Sequence, residues 1–495
     1  MRRTLLQRMT CPYCLGPFAI EREIEADPTR IRWGLVQCRC FTFPIVDGVL
    51  LLSLAKGYGG AEEALEPYTA LQVAAIEFLG AGDLAGIRAW VGRHIPLLDL
   101  LMSPGALAYL DFIRELNRRL YRQVERDLHE WGRWEVLGRR GAQRRQPTRR
   151  GALATTWIGR SITALRRRLV PGVFQSFYVS RFVTTQLRDL RARLRPFSLD
   201  GSLLSLCCGH GPFEMLSRAR MPAAEIVSVD GQVLNLFVTR RFVNPDGDYM
   251  CHDVQFPLPF PEETFRGVFS SSCLVEIPAQ ASFIREAVRV TAREGWTVFD
   301  SVDPESNPRV SPTRYYRVCQ NSLGSLRDYA RLFDACAGGR PVHFTPTAGA
   351  LDGTAAWTDD PKRLETISAG TFAVTGDPIR SDEEERSDFA EGERARLSVN
   401  PRYEVREEAG ALVGRFRFAE RLESRLHPDL ASSLPGRVSI ERARLSDPSY
   451  VADLYRNGTL VFLPRDFARD AVAVFPGVSR TDVDPTRTAA PRDRW

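Results

Sequence analysis

Apolar and polar positions alternate along the chain in three regimes. From Tyr68 to about Leu137 apolar residues recur at helical spacing: Leu71, Ala75, Phe78 and Leu79, then Ala108, Leu110, Phe112, Ile113 and Leu116. That pattern predicts three or four helices, broken at Gly80–Gly82, His94–Pro96 and Ser103–Gly105. From Val170 to about Gly376 short apolar runs alternate with helical stretches, as in an α/β sheet. Leu203–Leu206, Glu225–Asp230, Gly267–Ser271 and Trp296–Ser301 read as strands. A helix from about Phe213, a second at Gln232–Arg240 and a third at Phe283–Thr291 lie between them. After the acidic run Asp382–Glu385, Leu397–Phe418 reads as strands and Pro448–Leu463 as a helix followed by a strand. The polar, proline-containing tail beyond Val478 is expected to be disordered.

With 495 residues the chain exceeds one ordinary hydrophobic core, so several domains are expected. The predicted division is a compact unit at 1–53 and a helical region with an arginine-rich linker at 68–169. An α/β domain at 170–376, a small α+β region at 377–478 and the tail at 479–495 follow. The glycine-rich stretch Lys56–Gly60 bounds the first unit. Apolar content of 44% with 26% charged residues is that of a soluble globular protein, and no uninterrupted apolar run is long enough to span a bilayer. Phe43–Leu54 is interrupted by Asp47 and Gly48, and no apolar signal segment follows Met1-Arg2-Arg3, so a cytoplasmic location is the expectation.

Charge changes this picture little. Of 67 basic residues only Lys56 and Lys362 are lysines, which fits either phosphate recognition by guanidinium or the codon usage of a GC-rich genome. Eleven arginines and one acid, Glu135, fall between Arg133 and Arg168. This run suits a solvated linker, or a contact with nucleic acid or an anionic membrane, and no interleaved aromatics offer a stacking platform for bases.

Candidate chemistry appears in two places. Cys11-Pro12-Tyr13-Cys14 is a CxxC knuckle, and Cys38-Arg39-Cys40 follows after a spacer long enough for a β excursion. Four thiolates satisfy tetrahedral Zn²⁺ with no open position, which is a structural type of site. The remaining cysteines are scattered through apparent core segments, a distribution that suits a reducing compartment with one metal site. Further along, the strand Leu203–Leu206 runs through Cys207 and Cys208 into Gly209-His210-Gly211 and a helix. Glycines two apart let backbone approach a ligand and turn sharply. The next strand ends in Asp230, where a carboxylate can accept both hydroxyls of a ribose or serve as a helix N-cap.

In this order the segments resemble the class I S-adenosylmethionine-dependent methyltransferases of the quinone-biosynthesis type. Leu204–Phe213 resembles that family's glycine-rich first motif, Asp230 its ribose acid and Asp253 the acid near the adenine amino group. Leu258-Pro259-Phe260 through Phe265 resembles its loop, and Arg285–Val290 the helix before the fifth strand. Pro341–Thr345 and Thr371–Val374 would supply the final antiparallel pair of a Rossmann-like α/β sheet. The resemblance implies that Leu206, Cys208, Gly209, Gly211, Asp230, Gly231, Asp253, Val254 and Ser271 line a pocket for S-adenosylmethionine. Ser205 and Cys207 stand where the family has an acid and its first glycine, and Arg266 where it has an aspartate.

The N-terminal cysteines, followed by Phe43–Val49, resemble the small zinc-ribbon family whose members activate or precede methyltransferases. The second pair is CxC where that family has CxxC, and Phe43 replaces its tyrosine. The resemblance implies a structural zinc on Cys11, Cys14, Cys38 and Cys40.

The expected activity is methyl transfer to a small-molecule acceptor, of specialised-metabolite or peptide-derived type. An RNA or protein methyltransferase and a non-catalytic scaffold on the same fold are the alternatives. His210, His252 and Glu276 are candidate bases near the pocket mouth, with loop, strand-end and helix-start roles as their alternatives. The family places substrate-contacting aromatics near Gln175–Tyr178.

Overall fold

The computed structural model describes residues 1–52, 62–103, 108–113, 185–305, 321–347, 357–376, 391–394, 396–408, 410–416 and 434–464, with a few single positions besides. The arginine-rich run, Gln175–Tyr178, the later part of the predicted helical region and the C-terminal tail lie outside the described residues. The described chain falls into two compact units, one formed by 1–105 with 185–396 and the other by 106–184 with 397–495.

After a single helical turn, Arg3–Leu6, the first unit has four strands: β1 (Ala19–Ala26), β2 (Ile31–Gln37), β3 (Thr42–Val46) and β4 (Val49–Leu51). Three helices follow, α1 (Glu62–Ala81), α2 (Leu84–His94) and α3 (Pro96–Met102). Their ends fall at the predicted breaks. Asp83 caps α2 through a hydrogen bond from the Gly86 amide, and Pro96 occupies the first turn of α3, where its missing N–H costs nothing.

After α4 (Thr185–Arg193) come β5 (Ser202–Leu206), α5 (Pro212–Arg220), β6 (Glu225–Asp230), α6 (Val233–Phe242), β7 (Asp248–Cys251) and β8 (Phe265–Ser271). Next are α7 (Gln280–Val290), β9 (Thr291–Val302), α8 (Leu326–Cys336), β10 (Val342–Pro346) and β11 (Gly370–Thr375). All these strands join one eleven-stranded sheet in the order β1-β2-β3-β4-β7-β6-β5-β8-β9-β11-β10. The run β4-β7-β6-β5-β8-β9 is parallel, while β11 and β10 close the far edge antiparallel. This is the Rossmann-like class I methyltransferase sheet, with its antiparallel last pair in place.

Its central strands are buried on both faces, which explains their unbroken apolar runs. Phe283, Ile284, Ala287 and Val288 of α7 pack on one face, and Phe299, Phe333 and Phe372 continue that core. Phe333 stacks on Phe372 with ring centroids 4.7 Å apart.

The N-terminal strands are spliced onto the sheet edge. β4 pairs in parallel with β7, Val49 opposite Tyr249 and Leu51 opposite Cys251. Charge reinforces the seam: Asp47, 2% exposed, accepts from Arg32 and from Arg240 of α6, and Asp248 accepts from Arg2. A carboxylate so buried needs such partners.

The second unit contains β12 (Leu397–Val399), β13 (Tyr403–Glu408), β14 (Ala411–Phe416), β15 (Arg437–Glu441), α9 (Pro448–Arg456) and β16 (Leu460–Phe462). β12 pairs with β16, and β13, β14 and β15 form an antiparallel meander. Tyr109 stacks on Phe467 in the same unit. Among the described residues no helix is long and apolar enough to cross a membrane.

Candidate functional site

Strand order reverses between β5 and β8: β6 and β7 lie to one side, β9 to the other. In open parallel sheets the crevice at such a switch, beyond the carboxyl ends of the strands, is where ligands bind. The predicted pocket residues sit on that edge.

β5 ends at Leu206 and turns through Cys207 (φ +54°), Gly209 (φ +55°) and Gly211 (φ +76°) into α5. The Cys208 amide donates to Val229 O (3.1 Å) and the Gly211 amide to Cys208 O (3.0 Å). Gly211 admits no side chain, because a Cβ there would lie 2.6 Å from Thr239 Cγ2. Gly209 is the reverse: a Cβ there would meet nothing within 4 Å, so the turn opens onto free space. Thr239 Oγ1 donates to Gly209 O (2.8 Å), fixing the peptide from the α6 side.

Asp230, at the tip of β6, joins the turn to the next strand. Its carboxylate accepts from the Gly209 amide (2.9 Å), the Gln232 amide (2.8 Å) and Asn235 Nδ2 (3.3 Å). The cap residue of α6 is Gln232, so Asp230 stands before the helix rather than at its N-cap. The Gly231 carbonyl lies 3.6 Å from Cys251 Sγ, and the His252 amide donates to Asp230 O (3.1 Å).

Asp253 therefore follows directly at the tip of β7. It is 7% exposed, takes donors from the Gln255 amide (3.1 Å) and side chain, and burial pushes its carboxyl up. Val254 beside it is buried. Ser271 stands across the switch on β8 and donates to Asp300 Oδ2 (2.9 Å). The structure thus links Leu206, Cys208, Gly209, Gly211, Asp230 and Gly231 by direct bonds or sequence, places Asp253 and Val254 at the next tip, and sets Ser271 on the opposite wall.

The loop after Asp253 is clamped by α7. Glu286 accepts from the Leu258 amide (2.8 Å), and Arg289 donates to Phe260 O (2.9 Å) and Leu258 O (3.1 Å) while pairing with Glu286. His252 belongs to this support. Fully buried, its Nε2–H donates to Pro257 O (3.0 Å), and burial lowers its pKa to about 4, so the ring is neutral. His210 is 1% exposed, and Glu276 lies exposed in a 3₁₀ turn. The two histidines are thus buried, and Glu276 alone of the three is exposed.

Several residues escaped the sequence reading. Asp300, in β9, accepts from Arg193 Nη2 (2.7 Å), Thr371 Oγ1 (2.9 Å), Ser271 and Ser301. Glu214 lies wholly buried under β5 and β6, accepting from Ser228 Oγ (2.7 Å). A charge inside an otherwise apolar strand or helix face was the available signal for both. Cys207 forms a disulfide with Cys273, at the base of β8's exit loop. The cysteines expected to be scattered through core segments thus include one bonded pair.

The N-terminal cysteines do converge. Their four Sγ atoms lie within 4.8 Å of one another, and this is the metal-type cluster found among the described residues. Cys11 and Cys40 sulfurs are 3.5 Å apart and those of Cys38 and Cys40 3.2 Å, against ~3.8 Å for a tetrahedron with Zn–S bonds of about 2.3 Å. The Tyr13 amide donates to Cys11 Sγ and the Cys40 amide to Cys38 Sγ, both at 3.4 Å. The Gly16 amide heads the causes that lower the Cys14 thiol to about 7. The CxC spacing is therefore no obstacle to four sulfurs facing one point.

Residues 204–299 match the family model described as "Methyltransferase domain". No curated protein matches the chain. Solved structures that resemble it include a chain of the complex between the Haloferax volcanii Trm112 methyltransferase activator and a methyltransferase. That chain is 14% identical, covers 39% of this chain and 90% of its own, and has a TM-score of 0.31. A SAM-dependent methyltransferase from Thermotoga maritima is 15% identical, with 41% and 92% covered and a TM-score of 0.31. The plantazolicin methyltransferase BamL, solved with a desmethyl-plantazolicin analogue and SAH, is 12% identical, with 41% and 90% covered and a TM-score of 0.33.

Proposed function

We propose that this chain, whose residues 204–299 carry a methyltransferase domain, is an S-adenosylmethionine-dependent methyltransferase of the quinone-biosynthesis type acting on a small-molecule acceptor. One observation carries the reading. Two buried carboxylates, Asp230 and Asp253, stand at adjacent strand tips beside a glycine turn whose Gly209 faces open space, all at the switch-point edge of the sheet.

The residues fit an adenosyl donor. Backbone at Gly209 leaves room for a ligand against the turn, and Asp230 offers acceptor oxygens to ribose hydroxyls. Asp253 and Val254 offer an acceptor and an apolar wall to the adenine end, with Leu206, Cys208 and Gly231 between. Ser271, oriented by Asp300, faces the acceptor side. The donor supplies a methyl group on a sulfonium, so the chain's task is orientation and exclusion of water.

Cys11, Cys14, Cys38 and Cys40 would hold a structural zinc, and the N-terminal strands, joined through β4 and β7, act as a built-in counterpart of the zinc-ribbon activators. Thiolates kept reduced to hold a metal suit a cytoplasmic setting.

Asp230→Ala tests the pocket. Removing an acceptor of two charge-assisted bonds is expected to weaken S-adenosylhomocysteine binding, measured by calorimetry, by about tenfold or more. Unchanged affinity in a folded variant overturns the assignment.

A further inference from the structure

The Cys207–Cys273 bond lies where the fold opens. Cys207 ends β5 and begins the glycine turn; Cys273 follows β8 after Ser271 and Ser272. β5 and β8 are the two neighbours between which strand order reverses, so the bond bridges the two walls of the switch-point crevice. The two Cα atoms are 6.3 Å apart, within the ordinary disulfide range of about 4.4–6.8 Å.

Backbone on both sides is turned to meet it, with Cys207 at φ +54° and Ser272 at φ +54°. Unlike Cys208, Cys251 and Cys336, which are buried, both partners are only partly buried, at the margin of the core. Asp230 and Asp253 both fall inside the closed loop, whose ends are 66 residues apart.

We propose that Cys207 and Cys273 form a reversible covalent gate: joined, they block the donor crevice; as free thiols, they open it. This rests on the donor-pocket reading above. The two cysteines follow the tips of the paired strands β5 and β8, where the donor's amino-acid end would pass from the glycine turn to the acceptor side. Reduction leaves two small side chains on opposite walls.

The chemistry needs one partner, a low-molecular-weight disulfide such as oxidised glutathione. One protein thiolate attacks it, releasing a glutathione thiolate and forming a mixed disulfide. The second cysteine displaces the remaining glutathione. The protein loses two protons and two electrons, and one glutathione disulfide becomes two thiols.

The test uses the full-length protein, equilibrated with oxidised glutathione or with dithiothreitol, and S-adenosylhomocysteine as the calorimetric probe. Oxidised protein should be lighter by two hydrogen atoms in its Cys207–Cys273 peptide pair and bind about tenfold or more weaker than reduced protein. Cys273→Ser should bind alike in both conditions. This variant retains Cys207, whose glutathione adduct is read by mass, as well as Cys11, Cys14, Cys38 and Cys40; redox sensitivity persisting in adduct-free protein locates the effect away from the Cys207–Cys273 pair and overturns the gate. Equal affinity of oxidised and reduced wild type, with the bond verified, also overturns it, as does failure of the bond to form. Binding by neither form nor by Cys273→Ser overturns the donor-pocket reading itself, and the gate with it.

Discussion

Glu214 offers a measurement that isolates one buried carboxyl. It stands in the first turn of α5, 0% exposed, with Oε1 accepting from Ser228. Burial, partly offset by the Ser228 hydroxyl, raises its pKa from 4.5 to about 7. The folded state therefore keeps a proton that the unfolded chain releases above pH ~4.5, and stability falls as pH climbs to about 7. At about 1.4 kcal/mol per pH unit, the 4.5-to-7 interval corresponds to ~3 kcal/mol.

His252 works in the opposite sense. Its pKa is lowered from 6.5 to about 4, so its stability contribution is complete above pH 6.5 and is lost as pH falls toward 4. Between pH 4.5 and 6.5 the two slopes oppose each other, so the wild-type profile alone says little. Glu214→Gln separates them, because the amide still accepts from Ser228 but does not ionise. Urea unfolding followed by tryptophan fluorescence should show the variant-minus-wild-type free energy rising by ~3 kcal/mol from pH 4.5 to 8. A difference flat to within about 0.5 kcal/mol would refute the argument, since the carboxyl would then ionise as it does in the unfolded chain.

The two pocket glycines should respond differently. Gly211→Ala drives a Cβ into Thr239 at positive φ and should cost ~2–3 kcal/mol in a denaturation midpoint, whereas Gly209→Ala should cost ~1–2 kcal/mol yet abolish most S-adenosylhomocysteine binding, its methyl entering the open space. Wild-type affinity in Gly209→Ala would count against that space being the donor's. Protein purified without chelator should carry one zinc per chain by elemental analysis, and Cys40→Ser should lower that content; an absence of zinc contradicts the four-thiolate reading. Arg193→Met leaves Asp300 buried without its cation, and a loss of ~3–5 kcal/mol is expected in thermal or urea unfolding; a neutral variant would show that the three hydroxyl-bearing neighbours of Asp300 suffice.

What the sequence disclosed follows from where each strand lies. Leu203–Leu206 and Glu225–Asp230 sit between other parallel strands, buried on both faces, so they are written as continuous apolar runs ending in a turn or an acid. β7 is also buried, but its Asp-Tyr-Met-Cys sequence has no β-branched residue and opens on a charge, because Asp248 answers Arg2 across the seam. Periodicity had nothing to register there. The helix Leu326–Cys336 was equally readable in principle, since Ser325 and Asp328 form a reciprocal capping box, yet the break before it drew no prediction. The attachment of β4 to β7 left no local trace: Val49–Leu51 is three apolar residues, and its partner is some two hundred positions away.

Cys207 shows the same limit at the scale of one side chain. Read along the chain, it is a departure, a residue with a Cβ in a turn that favours glycine. In the fold it adopts the left-handed conformation that such a turn requires, at φ +54°, an uncommon state for a residue other than glycine. The placement becomes intelligible only with Cys273 opposite, and that neighbour is supplied by topology, because β8 crosses to lie beside β5 at the point where strand order reverses. A glycine there would keep the turn and lose the crosslink. The substitution at Cys207 and the cysteine after β8 are therefore one feature, and the redox dependence of donor binding is the property that a family pattern read residue by residue does not contain.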